Sequence, residues 1–394
     1  MQVPIPAVYM RGGTSKAVFF HENHLPGDAA LRDRVILAAY GSPDPDGRQI
    51  DGMGGAVSIT SKVAIISPSK DPAYDINYLF GQVSIDRPLV RYKGNCGNIS
   101  SAVGPFAIDA GLVRAEEPIT TVRIFQVNTQ KRILAEVPVE DGGHRVEGDF
   151  SMDGVPGTGG RIRLHFVDPA GSVTKKLLPS GHAKEAWVLP GLGKIEVSMV
   201  DAANPVVFVR AGDLNLKGTE IEEIERDAEI REKLELIRSH AAVRIGLAAS
   251  PEEATLRSQD VPKIAFVSPP QAYKSVSAKN IRSEEVDVVA RIMSMGTLHR
   301  AYAATGAICT AGAAKIKGTV VHDILCKGAG DAQHIRLGHP GGIFSVEAVV
   351  EEKAREVLYK EAIIERTARR LMDGRVYVPG KCFEADSPEG SEGR

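Results

Sequence analysis

Two runs of small residues most constrain what this chain can fold into. One opens at Asn98-Ile99-Ser100-Ser101-Ala102 and closes at Gly111; the other is Ala303-Ala304-Thr305-Gly306-Ala307-Ile308-Cys309-Thr310-Ala311-Gly312-Ala313-Ala314. Ala, Gly, Ser and Thr side chains make a narrow helix with no bulky face. Each run therefore predicts a helix at the centre of a domain, wrapped by other elements rather than lying on a surface. The first such helix is expected over residues 101–110, with its start near Asn98. A strand-like stretch at 88–92 and the turn Gly94-Asn95-Cys96-Gly97-Asn98 lead into it. Glycines in that turn let backbone N–H groups approach a ligand closely, and a helix N-terminus adds partial positive charge. A thiol at Cys96 is easier to ionise there, because the same donors stabilise the thiolate. Taken alone, Cys96 is equally well explained as a small buried residue in a tight turn.

At 394 residues the chain exceeds the usual size of a single core, so two domains are expected. Forty Gly and 23 Pro imply many turns, which favours short strands over a helical bundle. A net charge of −2 offers no basic field, so nucleic acid is not an expected partner. Met1-Gln2-Val3-Pro4-Ile5-Pro6 lacks the basic and apolar regions of a signal peptide, and no apolar run is long enough to span a bilayer. Cys96, Cys309, Cys326 and Cys382 are scattered without a CxxC pair. That pattern fits a reducing, cytoplasmic setting and provides no zinc spacing.

A strand expected at 7–10 runs into Arg11-Gly12-Gly13-Thr14-Ser15-Lys16, with a second strand at 17–20. The turn brings N–H groups, hydroxyls and two cations into a small space, the parts needed to hold a carboxylate or phosphate. It is not a Walker loop, and a solvated hairpin with basic flanks is the competing account. Residues 31–40 carry apolar side chains at helical spacing and stop at Gly41. Asp51-Gly52-Met53-Gly54-Gly55 is a second Gly-rich turn, followed by Thr60-Ser61-Lys62 and the apolar residues 63–66. Partial desolvation at the mouth of that segment would lower the pKa of Lys62 and make it a base; a lysine snorkelling at an element end is the plainer account. Strands are expected at 74–80, 82–85, 89–92, 122–127, 132–137 and 161–166.

Near residues 178–182 the layout starts again. A strand at 195–200, the turn Asp201-Ala202-Ala203-Asn204-Pro205 and a strand at 206–209 repeat the order of the opening, which indicates a duplicated domain and a division into 1–184 and 185–394. Residues 220–240 and 351–372 read as charged surface helices, the latter from the spacing of Val357, Ile363, Ile364 and Leu371; 386–394 read as a disordered tail. His299 and Arg300 stand at the entrance of the second small-residue run, and Arg336-Leu337-Gly338-His339-Pro340-Gly341-Gly342 is a third Gly-rich turn. Each feature has a plain structural account when taken singly. Together they put anion-friendly turns at matching points of two similar halves, so a cleft between the halves receives two helix N-termini. Such a cleft suits a small substrate with several carboxylates, and Cys96 and Lys62 are the side chains there with acid–base chemistry near neutral pH.

The motifs Arg11-Gly12-Gly13-Thr14-Ser15-Lys16, Asp51-Gly52-Met53-Gly54-Gly55, Thr60-Ser61-Lys62, Gly94-Asn95-Cys96-Gly97-Asn98, Thr305-Gly306-Ala307 and Gly338-His339-Pro340, in this order along nearly the whole chain, resemble the signatures of the PrpF-type isomerases. That family includes methylaconitate and 3-methylitaconate isomerases and 4-oxalomesaconate tautomerases. The resemblance implies an α+β fold of diaminopimelate-epimerase type: two similar domains, each a curled β-sheet or barrel around a central helix, with the site between them. It implies that Lys62 and Cys96 bracket the substrate as acid and base. Arg11, Gly13, Thr14, Ser15, Lys16, Gly54, Ser61, Asn95, Gly97, Asn98, His299, Thr305, Gly306 and His339 are the expected substrate contacts. The implied chemistry calls for no metal and no organic cofactor. The expected partner is a small polycarboxylate, with no membrane, and a homodimer is the expectation from base rates.

One departure sharpens this reading. Two-thiol epimerases and racemases of that fold carry a cysteine just before the Gly-Thr-Gly turn of the second half, where this chain has Ala303. Cys309 lies further along, inside the run, and reads as a core residue. A two-cysteine racemase mechanism is thereby disfavoured, and Lys62 becomes the second proton-transfer group. The expected activity is migration of a C=C bond by 1,3-proton transfer in an unsaturated di- or tricarboxylate. Lys62 is the favoured base, with the order of Lys62 and Cys96 left open, as is the choice among methylaconitate, methylitaconate and oxalomesaconate. The alternatives are a racemase or epimerase of the same fold and a non-catalytic accessory to an aconitase-like dehydratase.

Overall fold

The computed structural model describes residues 1–353 and 356–384; the tail expected at 386–394 lies outside the described residues. Six α-helices are described: α1 (Ala29–Tyr40), α2 (Gly97–Asp109), α3 (Glu222–Arg226), α4 (Ala228–Arg244), α5 (Pro251–Arg257) and α6 (Ala304–Lys315). The long strands form one continuous ribbon. Gln2–Gly12 pairs antiparallel with Ser15–His21, which pairs parallel with Lys62–Pro68 across the α1 crossover. Lys62–Pro68 pairs antiparallel with Ile76–Val83, which pairs parallel with Ile119–Gln126 across the α2 crossover. Lys131–Glu140 and Ile162–Val167 continue the ribbon antiparallel.

The second half repeats this path step for step. Gly193–Ala202 and Asn204–Arg210 pair antiparallel; Asn204–Arg210 and Lys263–Ser268 pair parallel across α3 to α5. Val288–Ser294 and His334–His339 pair parallel across α6, and Gly342–Lys353 and Glu356–Arg366 follow antiparallel. Glu356–Arg366 pairs with Ile162–Val167, joining the two ribbons, and Ala368–Pro379 returns to pair with Gln2–Gly12. A polar clamp recurs at the same point in each half. Arg123 donates its backbone N–H to Asp75 Oδ2 at 2.7 Å and its Nη2 to Oδ1 at 2.6 Å; Arg336 does the same to Asp287, at 2.7 Å in both contacts. The fold is a duplication of one α+β unit, as the recurring strand–turn–strand layout predicts.

The small-residue runs become the two buried central helices, for the reason their composition gives. Residues 97–108 of α2 and 304–314 of α6 are buried throughout, and both helices belong to one apolar core, with Ile99, Val103 and Phe106 meeting Phe19, Tyr78 and Val137 around α2. Cys309 is fully buried in α6, its thiol donating to the Val200 carbonyl at 3.2 Å, which makes it the core residue expected. On the outer faces, α1 covers the first sheet with Val35, Ile36 and Tyr40, and α4 covers the second with Leu234 and Ile237.

α2 starts at Gly97, beside the expected start near Asn98, with Cys96 as its N-cap. Two expectations need correction. The charged helix expected at 220–240 is two helices, interrupted at Asp227, whose side chain caps α4 by accepting from the N–H groups of Glu229 and Ile230. The described residues of the helix expected at 351–372 run instead through the strands Gly342–Lys353, Glu356–Arg366 and Ala368–Pro379. A register shift between Val349 and Val350 breaks the period-two pattern, and charged residues on the solvent face imitate a helix surface. Among the described residues, no helix is long and apolar enough to cross a membrane, and no group of three or more His, Cys, Asp or Glu side chains is placed to hold a metal ion.

Candidate active site

The N-termini of α2 and α6 meet head to head, and a cleft opens where they do. A Cβ added at Gly97 would lie 3.0 Å from Ala304 Cβ and 3.2 Å from the Thr305 nitrogen, so only glycine permits this approach without a shift. Neither helix start is capped by a side chain, since Cys96 and Ala303 occupy the N-cap positions and make no capping bond. Two sets of free N–H groups and two positive dipole ends therefore converge on one small volume. The cleft is lined by Ser15, Lys62, Gln82, Asn95, Cys96, Gly97 and Asn98 from the first half, and by Asn204, Asp260, Lys263, Ser294, His299, Ala303 and Thr305 from the second.

Lys62 is the first residue of its strand and is buried, 7% exposed. Its Nζ donates to Gln82 Oε1 at 2.8 Å and stands 5.5 Å from the centroid of the Phe80 ring. The Gln82 Nε2 donates to the carbonyls of Ser58 and Ser61, at 3.1 and 2.9 Å, which fixes the amide so that its oxygen faces the lysine. Tyr40 anchors the same strand end, accepting from the Val18 N–H and donating to the Lys62 carbonyl. Cys96 is half-buried at the positive end of α2, and its N–H donates to Asn95 Oδ1 at 2.6 Å. His299 is buried against the cleft. Burial pushes its pKa down to about 3, with Lys62 and Lys263 adding to the shift, so the imidazole is neutral. Its Nδ1 accepts from the Ala301 N–H at 3.2 Å, which assigns the ring hydrogen to Nε2. Ser15 Oγ, Asn98 Oδ1 and Asn204 Oδ1 are buried without a protein hydrogen-bond partner. Unpartnered polar atoms of this kind, gathered in one cleft, mark a place built for a polar ligand.

Six of the fourteen sequence-predicted contacts come together in this cleft: Ser15, Asn95, Gly97, Asn98, His299 and Thr305, beside Lys62 and Cys96. The others take different places. Gly13, at φ +49°, lets the Asn98 side chain approach where a Cβ would collide with it. Thr14 and His339 line a larger cavity beyond the 299–304 segment, together with Tyr302, Phe344 and Arg366. Arg11 donates Nη1 to the carbonyls of Gly13 and Thr367 and holds the turn, while Lys16 stacks its Nζ over the Tyr9 ring. Ser61 Oγ donates to Gln49 Oε1 at 2.7 Å, and Gly54 packs on the same Gln49, so both shape the loop before Lys62. Gly306 sits inside α6 beneath Ile292 and Tyr302.

Gln82, Asn204, Asp260, Lys263 and Ser294 escaped the sequence reading, although a signal for one of them was present. Lys62-Val63-Ala64-Ile65-Ile66-Ser67 and Lys263-Ile264-Ala265-Phe266-Val267-Ser268 are two copies of one strand. The pairing registers make the match exact: Lys62 stands beside Ala17, and Lys263 beside Val206. By the same registers Ser15 corresponds to Asn204, and Gln82, opposite Lys62, to Ser294, which continues the antiparallel pairing opposite Lys263. The N-caps make Cys96 correspond to Ala303.

The family model described as PrpF protein matches residues 2–379. The 3-methylitaconate isomerase of Eubacterium barkeri is 48% identical over 379 residues, covering 96% of this chain and 98% of that one. The 2-methyl-aconitate isomerase of Shewanella oneidensis is 43% identical over 390 residues, with 96% and 98% covered. The crystal structure of a methylitaconate-delta-isomerase superposes with a TM-score of 0.79 at 46% identity, over 99% of this chain and 100% of that one. A hydroxyproline epimerase from Agrobacterium vitis, 14% identical, shares the fold alone, with a TM-score of 0.55 over 95% and 91%.

Proposed function

The chain belongs to the PrpF family, and from that membership we propose that it moves a C=C bond within a small unsaturated di- or tricarboxylate, of which 3-methylitaconate and 2-methylaconitate are named for its relatives. The observation that carries this reading is the pairing of Lys62 and Cys96 in one cleft with no second thiol at the matching N-cap, Ala303. A two-thiol racemase needs an acid and a base of the same kind on opposite faces of one carbon. A lysine and a thiol from the same half suit proton removal at one carbon and delivery at another.

On 3-methylitaconate the step runs as follows. Lys62 Nζ takes the proton from the carbon bearing the methyl group, which is both allylic and next to a carboxylate. The electron pair left behind delocalises through the double bond to the terminal methylene, as a dienolate with charge on carboxylate oxygens. Cys96 Sγ–H gives its proton to that methylene, which becomes a methyl group, and the double bond now lies between the two carboxylate-bearing carbons. The lysine ammonium returns a proton to the thiolate, restoring the start. The converging N–H groups of α2 and α6 stand where the dienolate charge develops, and neutral His299 offers a further donor.

Incubation with 3-methylitaconate and with 2-methylaconitate, followed by ultraviolet absorbance and by proton NMR in deuterium oxide, tests this. Turnover in deuterium oxide places one deuteron in the new methyl group of the methylitaconate product. Lys62→Ala and Cys96→Ser are each expected to lower kcat by about 10²–10⁴-fold. A Lys62→Ala protein that isomerises at the native rate would overturn the role of Lys62, and native protein that moves no double bond in either acid would leave an accessory role.

A further inference from the structure

Every chemical position of the first half of the cleft has a counterpart in the second, and the counterpart of Lys62 is a second lysine. Lys62 has a side-chain acceptor, Gln82; the matching residue opposite Lys263 is Ser294, two carbons shorter. The bond made by Lys263 goes instead to a backbone carbonyl, Asp260 O, at 3.1 Å, and among the described residues its ammonium has no ion pair. The groups facing it are Asp260 and Arg238 from its own half, with His299 beside the cleft, and Lys62 and Cys96 from the other half. The carboxylate of Asp260 lies 3.9 Å from buried Arg91, so the nearest negative charge is already shared.

We propose that Lys263 is the counter-ion of a substrate carboxylate, holding one acid group of the di- or tricarboxylate against the second half while Lys62 and Cys96 work from the first. The proposal rests on the isomerase reading above and names the cation that reading leaves out. The second half has Ala303 where the first has Cys96 but carries the matching lysine, and without a thiol from its own half that lysine has a charge to offer rather than half of an acid–base pair. Ser15 Oγ and Asn204 Oδ1, buried and unpartnered at matching positions of the two halves, line the same space. Burial draws the Lys263 pKa down to about 8, opposed by Asp260 and Cys96 and reinforced by Lys62 and Arg238. A carboxylate bound against the ammonium reverses that shift. Diacid binding near and above pH 8 must therefore take up a proton.

The test uses methylsuccinate, a saturated diacid that has no double bond to move. Calorimetric titration of the full chain at pH 8.5, in two buffers of different ionisation enthalpy, is expected to show proton uptake on binding. Lys263→Met is expected to weaken methylsuccinate at least tenfold, abolish the uptake and raise KM for the unsaturated substrate more than it lowers kcat; Lys263→Arg is expected to restore most of the affinity. Lys62→Ala is expected to bind methylsuccinate while losing turnover, with a smaller proton uptake because loss of the Lys62 charge lets the Lys263 pKa rise in the free protein; retained binding without turnover separates failure of this proposal from failure of the isomerase reading. Binding by native protein without proton uptake, no binding at all, or native affinity in Lys263→Met each overturns the proposal.

Discussion

Two buried histidines, one on each side of the 299–304 segment, tie the site to stability. His299 is held near a pKa of about 3 by burial, then by Lys62 and Lys263; His339 is held well below its ordinary value by burial, then by Arg291, Arg366 and His299. In the unfolded chain both bind a proton as pH falls through about 6.5, whereas the native protein stays neutral there. The unfolded state then holds more protons, so stability is lost as pH drops from about 6.5 toward 3. His299 contributes a slope of about 1.4 kcal/mol per pH unit in that window, and His339 adds a loss of the same sign as pH falls below about 6.5. Each Nδ1 accepts a backbone N–H two residues on, from Ala301 and from Gly341. Asparagine can keep that bond without titrating. His299→Asn and His339→Asn are therefore expected to flatten the fall in denaturant-determined stability between pH 6.5 and 4, and an unchanged slope counts against neutral histidines. At this scale the sequence was only half legible. Lys62, Cys96 and Ser15 were readable from their motifs, but Gln82 was not: its role depends on standing opposite Lys62 across two strands, a relation that no local pattern carries.

Among the elements, the contact of α2 with α6 decides the shape of the cleft. The small residues of both helices are what let them be buried at the centres of their sheets, and this was plain in the composition of the two runs. That both N-termini point into one cleft was expected as well; that they come close enough to touch at Gly97 was not, because the distance depends on how two halves dock. Gly97 is the residue that permits it. Alanine there gains about 1 kcal/mol of helix propensity over glycine, but its Cβ meets Ala304 and Thr305 at 3.0 and 3.2 Å, which costs a similar amount in overpacking. Gly97→Ala is expected to change stability by less than about 1 kcal/mol. The small displacement of the two N-termini is expected to lower kcat/KM about tenfold or more, because donors placed for charge in the transition state tolerate little movement. Thermal unfolding and kinetics on the same preparation check this; unchanged activity would mean that the close approach serves packing alone. The strands Gly342–Lys353 and Glu356–Arg366 show the opposite failure of legibility, since their charges and the register shift at Val349/Val350 disguised a sheet as a helix.

The whole molecule is a tandem repeat whose ends have been exchanged. In the second half the edge strand Glu185–Leu189 comes first and pairs directly with Gly193–Ala202. The first half has the same edge position, beside Gln2–Gly12, but fills it with Ala368–Pro379 from the far end of the chain. Each edge strand follows the central strand of the other half, Ile162–Val167 in one case and Glu356–Arg366 in the other, so each half is completed by chain that enters from its twin. The duplicated layout was visible in the sequence; this closure was not, because the pairing of residues 2–12 with 368–379 spans nearly the entire chain. A circular permutant exploits it. The Gly380 N–H donates to the Met1 carbonyl at 2.9 Å, so a short linker from Glu384 to Met1, in place of residues 385–394, joins the chain close to a point where it already touches. Opening the chain between Gly181 and His182, in an exposed turn, then yields two units in series, each beginning with its own edge strand. Exposed turns are where permutation is best tolerated. The permutant is expected to fold to a protein with a melting temperature within about 5 °C of the parent, since about 1–2 kcal/mol is all that a cut in such a turn should cost. Its isomerase rate is expected to stay within a few-fold, because Lys62, Cys96 and Lys263 keep their strands and helix starts. A permutant that is soluble and cooperative but inactive would mean that the original connection through residues 168–184 holds the two halves in register, and not the pairing of Ile162–Val167 with Glu356–Arg366.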